Sequence, residues 1–156
     1  VNVIEAPACP YCGKPSHPAT GREIYPHRPD LWGRGFFACT PCDAYVGTHR
    51  DTGKPLGTLA NAPTRAARQA AHAAFDPLWK HLMSVYEGVL TKKVHSVART
   101  RAYAWLADQM GYENRADCHI AAMSIEQAQR VVQIIREKRP TAASIRHWWK
   151  NGGDRR

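Results

Sequence analysis

The sequence has no run of about 18 consecutive apolar residues, which excludes a membrane-spanning helix. It also lacks a helix with one fully basic and one strongly apolar face, so no membrane surface is expected as partner. Acidic residues are scarce: 13 Asp and Glu stand against 22 Lys and Arg, giving a net charge of +9 and a pI near 9.6. A positive field of this size attracts polyanions and speeds their encounter, which makes DNA or RNA the default partner. Cysteine is scarce as well, with five in the chain, an odd number, and no apolar secretory segment precedes Cys9. Paired disulfides are therefore disfavoured, and a soluble cytoplasmic protein is expected.

The few cysteines are not scattered. Four form two C-x-x-C pairs, Cys9-Pro10-Tyr11-Cys12 and Cys39-Thr40-Pro41-Cys42, with 26 residues between Cys12 and Cys39. Each pair places two sulfurs at the edge of a tight turn, where backbone N–H groups support their ionised form. Two such pairs complete a tetrahedral set of sulfurs that suits one structural Zn2+ and leaves no position open for catalysis. Gly13, just after the second cysteine, supplies the unrestrained backbone a zinc knuckle needs. An iron–sulfur cluster would use the same thiolates. A thioredoxin-like redox motif fits less well, because Pro, Gly and His follow Cys12 where that motif opens a helix.

The character of the chain changes near residue 60, from a stretch rich in Gly, Pro and aromatics to Ala-rich segments of helical period. The reading is α+β: a zinc ribbon of short antiparallel strands over 1–58, then a domain of about five helices over 59–156. Val3 and Ile4 give a strand-like start, Lys14 to Gly21 is expected to be irregular, and strands are expected at Arg22–Tyr25, Gly35–Cys39 and Ala44–Gly47. Such a ribbon is too small to bury a full core, so zinc must carry its folding. The linker 48–58 has a Gly-Lys pair without the spacing G-x-x-x-x-G-K-[ST], so a P-loop is rejected.

Beyond the linker, Thr64 to Phe75 holds six alanines and no Gly, and it follows Pro63, a good first helical residue. Arg65, Arg68 and His72 share one face of this helix. Asp76-Pro77 is expected to break it, with Asp76 capping a second helix that runs to about Val89 on a stripe of Leu78, Leu82 and Val85. Lys92 and Lys93 mark a connection; Ser96 then caps a helix to Met110, with Tyr103, Leu106 and Met110 inward and Gly111 as its stop. A short turn is expected around Cys118-His119-Ile120. Ser124 and Gln127 form a capping box for a helix to Arg139, with Ile125, Ala128, Val131, Val132 and Ile135 inward. Thr141 caps a last helix through Trp148 and Trp149, closed by Gly152-Gly153 and followed by a mobile tail.

Taken together, Cys-x-x-Cys-Gly at Cys9–Gly13, Cys-x-x-Cys-Asp-Ala-Tyr-Val-Gly-Thr-His at Cys39–His49 and Pro-Leu-Gly-Thr-Leu-Ala at Pro55–Ala60 resemble a known family. Arg-x-x-Arg-x-x-x-His-x-x-Phe-Asp-Pro-Leu-Trp at Arg65–Trp79 and Arg-x-Arg-Ala-Tyr-x-Trp-Leu-Ala at Arg99–Ala107 extend the resemblance. It is the zinc-finger-containing domain family of phages, prophages and their bacterial hosts, and it covers roughly residues 5 to 137. The resemblance implies zinc, a mobile-element origin and the cytoplasm of a bacterial host cell. It implies no reaction.

For contact with nucleic acid the candidates are Arg22, Tyr25, His27, Arg28, Trp32 and Arg34 between the knuckles, joined by Arg65 and Arg68. Cations interleaved with aromatics suit single strands, because the cations neutralise phosphates while rings stack on bases. Of Phe36 and Phe37, strand alternation buries one. Trp148 and Trp149 beside Lys150 form a second contact surface or dock the last helix. His72 and Asp76, one turn apart, suit a general-base pair in a metal-dependent nuclease; equally, Asp76 is a cap and His72 a surface residue. Cys118 reads as a buried apolar cysteine in preference to half of a second zinc site with His119. The leading function is a non-catalytic zinc-binding protein for DNA or RNA. The alternatives are an adaptor acting on a host protein complex such as RNA polymerase, and the nuclease.

Overall fold

The computed structural model describes residues 3–86 and 93–153. They form an α+β fold of two compact units, residues 1–66 and 67–156, each with its own hydrophobic core. Among the described residues no helix is long and apolar enough to cross a membrane.

The first unit is built on a three-stranded antiparallel sheet in the order β1 (His17–Thr20), β2 (Gly35–Cys39), β3 (Ala44–Gly47). The last two strands lie where apolar alternation places them. Phe37 pairs with Val46 and both are buried, whereas Phe36, opposite Gly47, is half-buried. The core is small: Phe37, Val46 and Leu59 are its large members, closed by Cys9, Cys39 and Ala44.

The first strand corrects the sequence reading. Residues 22–25 are not a strand, and the segment expected to be irregular contains β1. Pro18 is tolerated because β1 is an edge strand, where a missing N–H need not interrupt the ladder. Arg22, Glu23 and Ile24 instead belong to a single helical turn, α1 (Gly21–Ile24). Thr20 and Glu23 form a capping box: the Thr20 hydroxyl accepts the Glu23 N–H at 3.3 Å, and the Glu23 carboxylate accepts the Thr20 N–H at 2.5 Å. Gly21 is buried under this turn, and a Cβ there would overlap the Leu31 carbonyl.

Helix α2 (Ala62–Tyr86) starts in the first unit and continues into the second. Asn61 caps it, its side-chain oxygen accepting from the Thr64 N–H at 3.2 Å. The expected break at Asp76-Pro77 does not occur; Pro77 lies inside a continuous helix of 25 residues and Asp76 caps nothing. An interior proline costs about 3 kcal/mol, yet Phe75, Leu78 and Leu82 on either side of it enter one core. Burial of such side chains is worth about 1.5–3 kcal/mol each, so packing outweighs the lost bond to the Ala73 carbonyl. Tyr86 closes this stripe in place of the half-buried Val85. The expected end near Val89 and Lys92 of the connection lie outside the described residues.

Helix α3 (Val94–Met110) begins two residues before the expected cap Ser96, with Lys93 in the left-handed region at its start. Gly111 ends it as expected, at φ 77°. Every residue from Ala102 to Ala107 is buried, so α3 is the axis of the second unit and not an amphipathic surface helix. Two 3-10 turns, Arg115–Asp117 and Ile120–Ala122, bracket Cys118. Helix α4 (Ile125–Lys138) has the Ser124–Gln127 capping box; Ala128, Val131 and Ile134 face the core, with Ile125, Val132 and Ile135 only half-buried beside them. Helix α5 (Ala142–Trp148) is capped by Thr141 with Ser144. Trp148 and Trp149 dock it: Arg115 lies 5.7 Å over Trp148, and Arg101 sits between Trp149 at 4.9 Å and Tyr86 at 4.8 Å. The tail 154–156 lies outside the described residues.

Candidate metal centre

Two turns deliver the four cysteines. In the first, the Cys9 N–H donates to the Lys14 carbonyl and the Gly13 N–H to the Cys9 carbonyl, both at 2.8 Å, and Gly13 is left-handed at φ 74°. In the second, Thr40–Cys42 is a 3-10 turn, and Asp43 takes the left-handed conformation at φ 48°. Gly13 and Asp43 thus hold the same place, one residue past the second cysteine of each pair. Asp tolerates this backbone better than most residues because its short polar side chain bonds locally.

The four Sγ atoms of Cys9, Cys12, Cys39 and Cys42 all lie within 4.8 Å of one another, and Cys12 and Cys39 are 3.7 Å apart. A regular tetrahedron with Zn–S bonds of about 2.3 Å has edges of about 3.8 Å, so the spacing fits Zn2+. Cys9 and Cys39 are buried, Cys42 is half-buried and Cys12 is exposed at the rim. Burial acts to raise the Cys9 thiol, but the N–H groups of Tyr11 and Cys12 and the thiols of Cys39 and Cys12 outweigh it and bring it down to about 7. Burial, then the sulfurs of Cys12, Cys39 and Cys9, push Cys42 up to about 12. The set therefore loses its first proton readily and its last only against accumulated negative charge, which a divalent cation offsets. All four positions of the tetrahedron are protein sulfurs, so the ion is structural.

Residues 5–138 match the family described as a zinc-finger-containing domain. The chain belongs to that family. No curated protein and no solved structure matches it. As a zinc-finger-containing domain, it holds one structural zinc on Cys9, Cys12, Cys39 and Cys42.

Around this zinc finger the cationic and aromatic candidates separate by their surroundings. The Arg22 guanidinium lies 5.0 Å over the Trp32 ring, both residues exposed, and the Trp32 indole N–H donates to the Tyr25 carbonyl at 3.3 Å. Arg28 grips Asp30 with two bonds of 2.9 and 2.7 Å. His27 is exposed and Arg34 half-buried, and neither forms an ion pair among the described residues. Tyr25 belongs to an edge-to-face triad with Phe36 and Tyr45, its hydroxyl 2.9 Å from that of Tyr45. Arg65 stacks 4.0 Å over Tyr45 and bonds the carbonyls of Asp43 and Ala60. In the second unit, Arg68 donates to the Met123 carbonyl at 2.8 Å.

His72 Nδ1 is 3.3 Å from Asp76 Oδ1, and the same oxygen accepts the Trp79 indole N–H at 3.1 Å. Among the described residues, the cysteine tetrad is the only group of three or more His, Cys, Asp or Glu able to share a metal. Cys118 is fully buried, and burial pushes its thiol up to about 12. The sequence reading missed Asp43, whose signal was its position one residue past a C-x-x-C pair, where the first knuckle has Gly13.

Proposed function

We propose that the chain is a non-catalytic zinc-ribbon protein that binds DNA or RNA in the phage, prophage or bacterial setting its resemblance implies. The observation that carries this reading is the exposed Trp32 ring with Arg22 stacked on it, flanked in sequence by His27 and Arg34. One segment offers a ring for a base, at about 1–3 kcal/mol per stacked base, and cations for the adjoining phosphates. Long-range attraction comes mainly from the second unit: residues 67–156 hold 15 of the 22 Lys and Arg and 8 of the 13 Asp and Glu, a net +7. Asp76 Oδ1 is shared between His72 and the Trp79 indole N–H, which supports a structural role for the pair in place of water activation.

A salt-titrated gel shift of the zinc-loaded chain with single-stranded DNA, duplex DNA and RNA, with and without magnesium, tests the reading. Binding of an intact probe that weakens steeply with salt is the expected result. A probe degraded in magnesium, with cleavage lost in His72→Ala at unchanged zinc content, would replace it with the nuclease.

The adaptor is the second reading, favoured by the low charge of the first unit, 7 Lys and Arg against 5 Asp and Glu. That unit also exposes Val3, Tyr11 and Leu56. No shift of any probe at low salt, together with nuclease-insensitive recovery of one host protein complex, would put the adaptor first.

A further inference from the structure

Beside the Trp32 loop the first unit has an open groove of about 540 Å3, lined by Asp30, Gly33, Arg34 and Gly35 on one side and Thr48, His49, Arg50 and Gly53 on the other. Volumes of about 300–1,000 Å3 suit small-molecule-sized groups, a nucleotide among them. Its walls are held by the sheet. The Thr48 N–H and hydroxyl both donate to the Gly35 carbonyl at 3.1 Å, the His49 N–H donates to Lys54 at 2.8 Å, and the Gly53 N–H to His49 at 2.9 Å. A Cβ at Gly35 would stand 2.8 Å from the Thr48 hydroxyl, so a larger residue there would have to displace the Thr48 side chain.

The charge of this groove is one-sided. Its one lining carboxylate, Asp30, is occupied by both arms of Arg28. Among the described residues neither Arg34 nor Arg50 has a carboxylate partner, and the nearby Asp51 carboxylate accepts the Thr52 N–H. Two guanidiniums and an imidazole thus line one cleft whose own carboxylate is already paired with Arg28. Arg34 is also two residues from Trp32, so the groove and the stacking ring belong to one segment of the chain.

We propose that this groove is a phosphate-binding site for a single nucleic-acid strand, in which Arg34 and Arg50 neutralise backbone phosphates and His49 donates to a phosphate oxygen. The proposal rests on the nucleic-acid reading and narrows it to a single-strand phosphodiester. Arg and phosphate form the planar, charge-assisted bonds that give such sites their strength.

The test uses the zinc-loaded full chain and the double variant Arg34→Gln, Arg50→Gln, with zinc content and circular dichroism as controls on folding. Binding of a fluorescent oligo-dT is titrated against salt, and inorganic pyrophosphate is titrated while the His49 and Arg50 amide resonances are followed. Each single-strand phosphate contact adds about 0.7 to the slope of log K against log salt, so the double variant loses about 1.4 of slope. It also no longer responds to pyrophosphate, whereas Trp32→Ala weakens binding with the slope unchanged. A folded double variant that keeps the wild-type slope overturns the assignment. If the wild type binds no oligonucleotide but pyrophosphate still moves His49 and Arg50, the groove stands as a phosphate site and the nucleic-acid reading falls. If neither ligand has an effect, both fall.

Discussion

Arg65 Nη1 donates to the Asp43 carbonyl at 2.8 Å, joining the first turn of α2 to the residue that follows the last zinc ligand. Nη2 reaches the Asp43 carboxylate at 3.3 Å, Nη1 also bonds the Ala60 carbonyl at 2.7 Å, and the guanidinium plane covers Tyr45. One side chain thereby fixes the left-handed backbone of the second knuckle from outside the ribbon strands.

Arg65→Ala should therefore destabilise the zinc-loaded protein by about 2–3 kcal/mol, the combined scale of charged hydrogen bonds and a stacked cation. Arg65→Lys should recover little, because an ammonium lacks the planar fork. Thermal unfolding at saturating zinc measures both. A loss below about 0.5 kcal/mol in Arg65→Ala, the range of neutral surface changes, would show that the knuckle does not depend on this contact.

Chelation should unfold the ribbon first. Structural zinc supplies roughly 10–16 kcal/mol of apparent binding free energy at neutral pH, more than a core of this size provides. Hydrogen exchange after EDTA should reveal lost amide protection over β2 and β3 while α3 and α4 keep theirs, and Cys39→Ala should do the same without chelator. Acid acts in the same direction. Zinc holds the thiols ionised, so their folded pKa values lie below the unfolded ones; the stabilisation is full above the unfolded range and is lost as pH falls through the folded values. Zinc release followed with a metallochromic dye should rise with acidity, and retention of protection over β2 in EDTA would contradict the metal's role.

Pro77 is exposed and contributes no core contact, so Pro77→Ala should restore the hydrogen bond to Ala73 and stabilise α2. The expected gain is about 1 kcal/mol, less than the full interior-proline penalty because alanine also frees the unfolded chain. Denaturant midpoints at constant m-value measure it. A destabilised variant would mean that the proline itself shapes the helix.

Cys118 should be silent toward thiol reagents at pH 8 in the native protein, since its thiol is fully buried and stays protonated up to about 12. Combined denaturation and chelation should expose all five thiols. Rapid native labelling that Cys118→Ala abolishes would place this cysteine at an accessible position.

The zinc site was legible because a C-x-x-C turn is local: two cysteines three residues apart already share an edge, and the tetrahedron needs only two such turns. Helix ends at Gly111, Ser124 and Thr141 were legible for the same reason, since a cap is a bond between residues three or four apart. The Thr20–Glu23 box was written in the same code, and the β-branched and aromatic look of Ile24-Tyr25 concealed it.

What depends on distant partners was not. Local rules end a helix at Asp76-Pro77, but they do not count the core that Phe75, Leu78 and Leu82 enter together. Arg65 looks like one more surface cation until the fold brings it a carbonyl from 22 residues away. The phosphate groove has no sequence motif, since Arg34 and Arg50 face one cleft only because β2 and β3 pair and set their flanking loops side by side. The chain by itself determined the metal, its ligands, the charge and most helix boundaries, because bonds within a few residues decide them. Only the tertiary structure decided which cations are consumed by the fold and which remain for a ligand, because acceptors for a long side chain come from whatever the packing brings near.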